Sequence, residues 1–172
     1  QLVEAAIPVI ETRLETVREI SHALDRFYGR LTEGREKLHL RYLCSTPEEE
    51  GLPLRESILS RLAASTERDI QNGATSPGPH RDDLDFVLDG KDLRTFGSQG
   101  QRRSSVLALR LAELEWLREK TGQHPVMLID DVIYEMDETR RNHFFEEIGR
   151  GGQVLITATE IGHLGDLAEK AK

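Results

Sequence analysis

Residues 126–131 read Val126-Met127-Leu128-Ile129-Asp130-Asp131, a run of four apolar residues that ends in two acids. A continuous apolar run of this length is typical of a strand buried on both faces of a parallel sheet. The two carboxylates then follow the carboxyl end of the strand, which is where open α/β sheets bind ligands. Asp130 can hold a magnesium ion there, and Asp131 can deprotonate an attacking water, or both acids simply begin a turn.

The residues that follow predict a crossover unit. A helix is expected from about Glu138 to Ile148, and a second buried strand is expected at 153–157. Strand, helix and strand in this order place the two strands side by side and parallel. The second half of the chain is therefore predicted to be α/β, with a central, mostly parallel sheet.

Upstream of the strand, a glycine-bearing loop precedes a long helix. The loop is Gly97-Ser98-Gln99-Gly100-Gln101, and the helix is predicted from Arg102 through Lys120, with one face formed by Leu107, Leu111, Leu114 and Leu117. Free N–H groups and the dipole at a helix N-terminus attract phosphate, to which Ser98 and Gln101 can add a hydroxyl and an amide. A loop of this kind can equally be only a helix cap or a tight turn.

Periodicity and turn residues predict the remaining elements. An amphipathic helix is expected over residues 1–30, kinked at Pro8 or beginning near it, and packed within its own domain rather than in an intermolecular coiled coil. A strand is expected at 38–42, and a helix is expected from Pro53 to about Asn72-Gly73 with one apolar face formed by Ile58, Leu59 and Leu62. Residues 84–94 predict a β-hairpin with an Asp89-Gly90 turn.

The composition excludes several classes of protein. The 172 residues include one cysteine, Cys44, so a disulfide framework and a multi-cysteine zinc site are excluded, and a reducing, cytoplasmic location is expected. No apolar run is long enough to cross a bilayer. With 23 basic and 31 acidic residues, the net charge of -8 argues against non-specific nucleic-acid binding by bulk charge.

Three motifs in order resemble those of ABC-type ATPases. The loop Gly97–Gln101 resembles the signature loop of these ATPases. Residues 127–130 and Asp131 resemble their Walker B strand, and the residues from there to Asp137 resemble their D-loop. The segment Ser76-Pro77-Gly78-Pro79-His80-Arg81-Asp82-Asp83-Leu84 resembles, more narrowly, the RecF family of bacterial recombinational repair proteins. This similarity is strongest from about residue 75 to 160.

The resemblance implies a role for each matching residue. Asp130 matches the magnesium-coordinating acid, Asp131 the catalytic base, and Asp137 the D-loop acid that crosses to the partner subunit. Four residues match the signature loop, which caps the γ-phosphate of ATP held by the other protomer: Ser98, Gln99, Gly100 and Gln101. By resemblance, His80 and Arg81 belong to a family motif in which Arg81 contacts a phosphate or an acid of the D-loop. The alternative is that Arg81 forms an internal ion pair with Asp82 or Asp83 and that His80 is structural.

Three departures from the family pattern limit this assignment. No G-x-x-x-x-G-K-[ST] sequence occurs, so the phosphate-binding loop is missing and the chain resembles the C-terminal part of the family. No switch histidine directly follows the strand predicted at 153–157, where the sequence continues to Glu160. Tyr134 occupies a position at which the family pattern has a small residue. The chain alone is therefore expected to lack productive ATP binding.

The resemblance also implies an architecture and partners. Residues 1–75 are expected to form a mainly helical arm, part of an inserted lobe (lobe II), and 76–172 the C-terminal part of an ABC-type head. The intact protein is expected to use ATP and Mg²⁺, to form an ATP-dependent homodimer, and to bind DNA at single-strand/double-strand junctions with a RecR-type mediator. The alternatives are a non-catalytic protein or DNA interaction module, and the head of another SMC-like repair ATPase.

Overall fold

A computed structural model of the chain describes residues 1–47, 51–130, 136–149 and 152–157. The helices in these ranges are α1 (Leu2–Leu31), α2 (Leu54–Asn72), α3 (Leu93–Phe96), α4 (Gln99–Thr121) and α5 (Glu138–Ile148). The strands are β1 (Leu38–Leu43), β2 (Asp83–Leu88), β3 (Lys91–Asp92), β4 (Met127–Asp130) and β5 (Val154–Thr157). In the described part of the chain, the helices are too short or too polar to span a membrane.

The strands form two sheets. One has the order β1-β2-β3, and the other pairs β4 with β5 in parallel, with Met127 opposite Val154 and Asp130 opposite Thr157. Helix α5 lies between β4 and β5 in sequence, as the crossover prediction requires. The predicted α/β class is therefore confirmed.

Packing divides the chain into two compact units that alternate along the sequence. Residues 1–18 and 40–85 form the first unit, and residues 19–39 together with those from 86 onwards form the second. Helix α1 contributes to both units. The domain boundary near residue 75 was inferred from motifs rather than packing, and it stays a prediction.

The core of the first unit is formed by the start of α1 and by α2. Val3, Ala6 and Ile10 recur every three or four residues along α1, and they cluster with Leu54 and Ile58 of α2. Helix α1 begins at Leu2 and runs through Pro8, so it does not begin at the proline. Helix α2 ends at Asn72, and the left-handed backbone of the following Gly73 (φ 63°) closes the last turn as predicted.

One residue of the predicted α2 face lies elsewhere. Ile58 is buried and Leu62 packs against the same cluster, whereas Leu59 is 43% exposed. Residues four apart share a helix face, but adjacent residues are turned by about 100°. The assignment of Leu59 to the buried face was therefore wrong.

Most of the buried apolar residues of the second unit come from α1, α4, α5 and β4, and Leu38, Leu88 and Leu93 add to them. Leu24, Tyr28 and Leu31 continue the apolar stripe of α1, and Leu107 and Leu111 supply that of α4. The predicted α4 stripe becomes exposed toward its end, where Leu117 is solvent-accessible. Phe144 is the fully buried anchor of α5.

The parallel pair β4–β5 is buried on one face only. Met127 and Ile129 are 8% and 4% exposed, whereas Leu128 and its β5 neighbour Leu155 are 73% and 51% exposed. Successive side chains of a strand point to opposite faces, so the exposed leucines share the outer face. The prediction that this run is buried on both faces is wrong for the described chain, in which helices cover one face only.

The predicted hairpin is confirmed, although its second strand is short. β2 and β3 are antiparallel, and Asp89 and Gly90 both have positive φ (47° and 79°), as a type I′ turn requires. β3 ends at Asp92 because that residue caps α3, accepting the Thr95 N–H at 2.5 Å. Sequence periodicity did not predict this one-turn helix.

Candidate functional site

Helix α4 begins three residues earlier than predicted. Ser98 is its N-cap: Ser98 Oγ accepts the Gln101 N–H at 3.2 Å, and Gln101 Oε1 accepts the Ser98 N–H at 2.7 Å. This reciprocal arrangement is a capping box, and Ser98-Gln99-Gly100-Gln101 is its sequence signature. The helix therefore starts at Gln99, and the predicted start at Arg102 was wrong because the cap pattern was read as a loop.

The capped end of α4 offers hydrogen-bond donors to solvent. The capping box uses the N–H groups of Ser98 and Gln101, and the N–H groups of Gln99 and Gly100 lie outside it. Ser98 and Gln99 are exposed, and the Ser98 hydroxyl keeps its proton for donation because its oxygen acts as acceptor. Such a helix end binds anions through its N–H groups and its dipole.

Gly97 and Arg102 fix the approach to this helix end. A Cβ on Gly97 would lie 2.5 Å from the Leu93 carbonyl oxygen, so only glycine fits between α3 and α4. Arg102 Nε and Nη2 both donate to the Gly97 carbonyl oxygen, at 3.0 and 2.8 Å. The Arg102 guanidinium therefore holds the loop.

The side-chain amide of Gln101 is engaged on both sides. Its oxygen belongs to the capping box, and its Nε2 donates to Glu36 Oε1 at 2.6 Å. Glu36 also accepts from the hydroxyl of buried Tyr28, at 2.8 Å. Glu36 was not among the predicted site residues, and its distance of 65 positions along the chain leaves no local sequence signal.

Asp130 lies at the carboxyl end of β4, as predicted. Its side chain is exposed, and its Oδ1 accepts the Thr157 hydroxyl at 2.5 Å across the parallel pair. An exposed carboxylate of this kind fits a magnesium ion that keeps most of its waters. Asp131 and Tyr134 (in 131–135) and Glu160 (in 158–172) lie outside the described residues.

Asp137 caps α5 and is linked to α4 through Arg140. Its carboxylate accepts the Arg140 N–H at 2.9 Å and forms an ion pair with Arg140 Nε at 3.2 Å. Arg140 Nη1 in turn donates to Ser104 Oγ of α4 at 3.1 Å. The structure therefore connects the predicted D-loop acid to the helix that carries the predicted signature residues.

The motif at 76–84 lies in the first unit and is organised by Asp82. The side chain of Asp82 is 1% exposed, accepts the Tyr42 hydroxyl and the Ser45 N–H (2.7 Å), and pairs with Arg13 at 3.6 Å. Asp82 therefore pairs with Arg13 rather than with Arg81, whereas a pairing of Arg81 with Asp83 and its contact with a phosphate or the D-loop stay predictions. His80 contacts the Thr75 carbonyl oxygen through Nε2 at 2.9 Å.

Comparisons with known proteins identify related chains. No protein-family profile matches. The DNA replication and repair protein RecF of Halalkalibacterium halodurans is 37% identical over 164 residues, which cover 94% of this chain and 44% of that protein. RecF of Geobacillus thermodenitrificans is 41% identical over 145 residues, which cover 82% of this chain and 39% of that protein.

A solved structure shares the fold. It is described as the recombination mediator protein RecF-ATPrS in the RecFOR pathway, and it superposes with a TM-score of 0.77 at 32% identity over 93% of this chain and 43% of that one. The chain spans a little under half the length of the curated relatives it matches. Because the sequence identity and the shared fold extend over nearly the whole chain, the chain belongs to the RecF family.

Proposed function

We propose that the chain is part of an ATP-dependent DNA-binding protein of recombinational repair and replication restart. Two copies of the intact protein dimerise around ATP on gapped or junction DNA and help to load recombinase, with a RecR-type mediator as partner. Support comes from the identity to proteins named RecF and from a solved relative described as RecF-ATP. The cytoplasmic location expected from the sequence belongs to the same proposal.

The observation that carries this proposal is the exposed, capped N-terminus of α4. The N–H groups of Gln99 and Gly100 and the hydroxyl of Ser98 can donate to the oxygens of a terminal phosphate. A helix end of this kind holds an anion without a charged side chain. In the dimer these donors act on the nucleotide that the other protomer holds.

The acids after β4 have separate roles. Asp130 would hold magnesium, Asp131 would orient and deprotonate water, and Asp137 would contact the partner protomer near the shared nucleotide. Bound ATP and magnesium supply the phosphoanhydride and the neutralisation of its charge. Both carboxylate oxygens of Asp137 contact Arg140, and its side chain is 59% exposed, which leaves it accessible to a partner.

The apolar outer face of β4 and α4 supports the view that a further part of the protein completes this head. A groove of about 710 Å³ lies along it, and its exposed apolar side chains include Val106, Leu117, Val126 and Leu128. The relatives are more than twice as long as the matched part, and the phosphate-binding loop is missing from these 172 residues. The remaining polypeptide, which carries that loop, covers this face.

A mixing experiment tests the shared site. In the protein expressed from its complete gene, Ser98→Asp keeps an N-cap acceptor but places a negative charge where phosphate binds, and Asp130→Asn removes the magnesium ligand. Each variant alone should lose ATP-dependent dimerisation and hydrolysis. An equal mixture should recover up to about half of the wild-type hydrolysis rate, because only mixed dimers form and each has one intact site out of two.

The controls separate this function from its main alternative. Each variant should keep the thermal stability of the wild type, which excludes a folding artefact. Lack of recovery in the mixture of the two variants contradicts the shared site. If the wild-type protein binds DNA equally well with and without nucleotide and does not hydrolyse ATP, the non-catalytic interaction module is correct instead.

A further inference from the structure

The first turn of α4 is held from outside the helix by Glu36. This residue lies in the turn between α1 and β1, and its Oε1 accepts from Gln101 Nε2 at 2.6 Å. Its other oxygen accepts from Tyr28, which is completely buried in α1. Because Gln101 Oε1 accepts the Ser98 N–H, a chain of hydrogen bonds runs from Tyr28 through Glu36 to the helix cap.

A second side chain holds the same turn from another side. Arg140 donates to Ser104, which is buried in the second turn of α4, and pairs with Asp137 at the start of α5. A Cβ on Gly100 would lie 3.0 Å from Arg140 Nη1, so the glycine gives the guanidinium room to pass close to the first turn. Glu36, Arg140 and Asp137 line one cavity of about 290 Å³.

We propose that Glu36 and Arg140 are positioning residues that fix the first turn of α4, so that its N–H groups and Ser98 converge on one phosphate. The physical reason is that an amide side chain such as Gln101 rotates freely unless both its oxygen and its nitrogen have partners. Glu36 supplies the second partner, and Arg140 prevents the turn from moving away from α5. This inference rests on the proposed function, since it assigns a task to residues around the proposed phosphate site.

The test compares variants of Glu36 in the protein expressed from its complete gene. Glu36→Ala removes both acceptors and should raise the ATP concentration for half-maximal dimerisation about 10- to 150-fold, the size of one lost hydrogen bond to a charged group. Glu36→Gln keeps one oxygen that accepts from Gln101 Nε2, and its NH2 group can donate to the Tyr28 hydroxyl oxygen, so it should restore the wild-type value to within about twofold. Glu33→Gln is the matched control: Glu33 lies in the same turn, pairs with exposed Arg35, and should have no effect.

Hydrogen exchange supplies a readout that needs no nucleotide. The Ser98 and Gln101 amides, which the capping box protects, should exchange faster in Glu36→Ala and in Arg140→Ala than in the wild type, whereas amides in the middle of α4 should not change. If Glu36→Ala is too unstable to purify, Glu36→Asp tests the same point, because it keeps the charge but is one methylene too short to reach both neighbours.

The possible results are distinguishable. Unchanged exchange and unchanged ATP dependence in both alanine variants overturn the inference even if the wild-type protein dimerises with ATP. Faster exchange at Ser98 and Gln101 in a protein that does not respond to ATP supports the positioning role and contradicts only the proposed function. A uniform rise in exchange along the whole of α4 shows general destabilisation and also overturns the inference.

Discussion

At the residue scale, Ser98 has two interactions available, and the fold uses one of them. Its oxygen caps α4, an interaction that stabilises a helix by about 1 kcal/mol, and its proton is available to a phosphate. A serine at this position is therefore useful to the fold even without nucleotide. Only a substitution such as Ser98→Asp, which keeps the acceptor and removes the donor, separates the two contributions.

Tyr42 leads to a prediction about alkaline stability. Burial and the hydrogen bond to Asp82 raise the pKa of Tyr42 to about 12, whereas an unfolded tyrosine has a pKa of about 10. The stabilising contribution is therefore complete below pH of about 10 and is lost as the pH rises through about 12. We expect the free energy of unfolding, measured with urea at several pH values, to fall across this range.

The Tyr42→Phe variant checks the assignment. Phenylalanine does not ionise, so this variant should show a shallower fall in the free energy of unfolding between pH of about 10 and 12. Burial also raises the pKa of Tyr28, so Tyr28→Phe should act in the same direction. A curve for Tyr42→Phe that runs parallel to that of the wild type would contradict the contribution of Tyr42.

At the element scale, the junction between α3 and α4 sets the position of the site. α3 is a single turn that ends at Phe96, and α4 begins at Gln99, with Gly97 and Ser98 between them. The carbonyl and side chain of Leu93 lie against Gly97, and Leu93 itself is buried. The site is therefore held by a tight junction between two helices rather than by a long loop.

Two glycine substitutions test this junction. Gly97→Ala should lower the free energy of unfolding by about 1–3 kcal/mol, because its Cβ would overlap the Leu93 carbonyl oxygen. Gly29→Ala is the matched control within α1, where a Cβ meets nothing within 4 Å, and it should raise stability by about 0.5–1 kcal/mol. Urea unfolding of the 172-residue chain measures both, and equal effects would contradict the steric argument.

At the scale of the whole molecule, the two faces of β4 have different surroundings. The inner face holds Met127 and Ile129, and the outer face leaves Leu128 and Leu155 exposed. Parallel sheets are ordinarily covered on both faces. The outer face is therefore the place where the chain and a complete protein should differ most in stability.

Adjacent residues of β4 give the corresponding prediction. In the 172-residue chain, Ile129→Ala should cost about 2–5 kcal/mol, and Leu128→Ala should cost less than about 1 kcal/mol. In the protein expressed from its complete gene, both substitutions should be similarly costly, because the proposed covering of the outer face would bury Leu128. Denaturant unfolding measures both, and a Leu128→Ala variant that is equally mild in both contexts would contradict this covering.

Much of the local structure was predictable because it depends on residues close in sequence. The sequences of β4, α5 and β5 have the spacing of apolar residues and the length that are typical of these elements. Asp89-Gly90 specifies a hairpin turn by the backbone preference of these two residues. The capping box was also present in the sequence as Ser98 with Gln101, although the start of α4 was predicted too late. Hydrogen bonds within three or four residues leave a signature that can be read without the fold.

The partners of the site residues were decided by the tertiary structure. Glu36 reaches Gln101 across 65 positions, and Arg140 reaches Ser104 across 36. Asp82 pairs with Arg13 rather than with neighbouring Arg81, and Leu128 is exposed within an apolar run. The sequence alone determined most of the elements, with the exception of α3, and it predicts which residues bind phosphate and metal. The tertiary structure decides which side chains contact each other and which face of β4 stays exposed. Both depend on how distant parts of the chain pack together, which no local sequence pattern encodes.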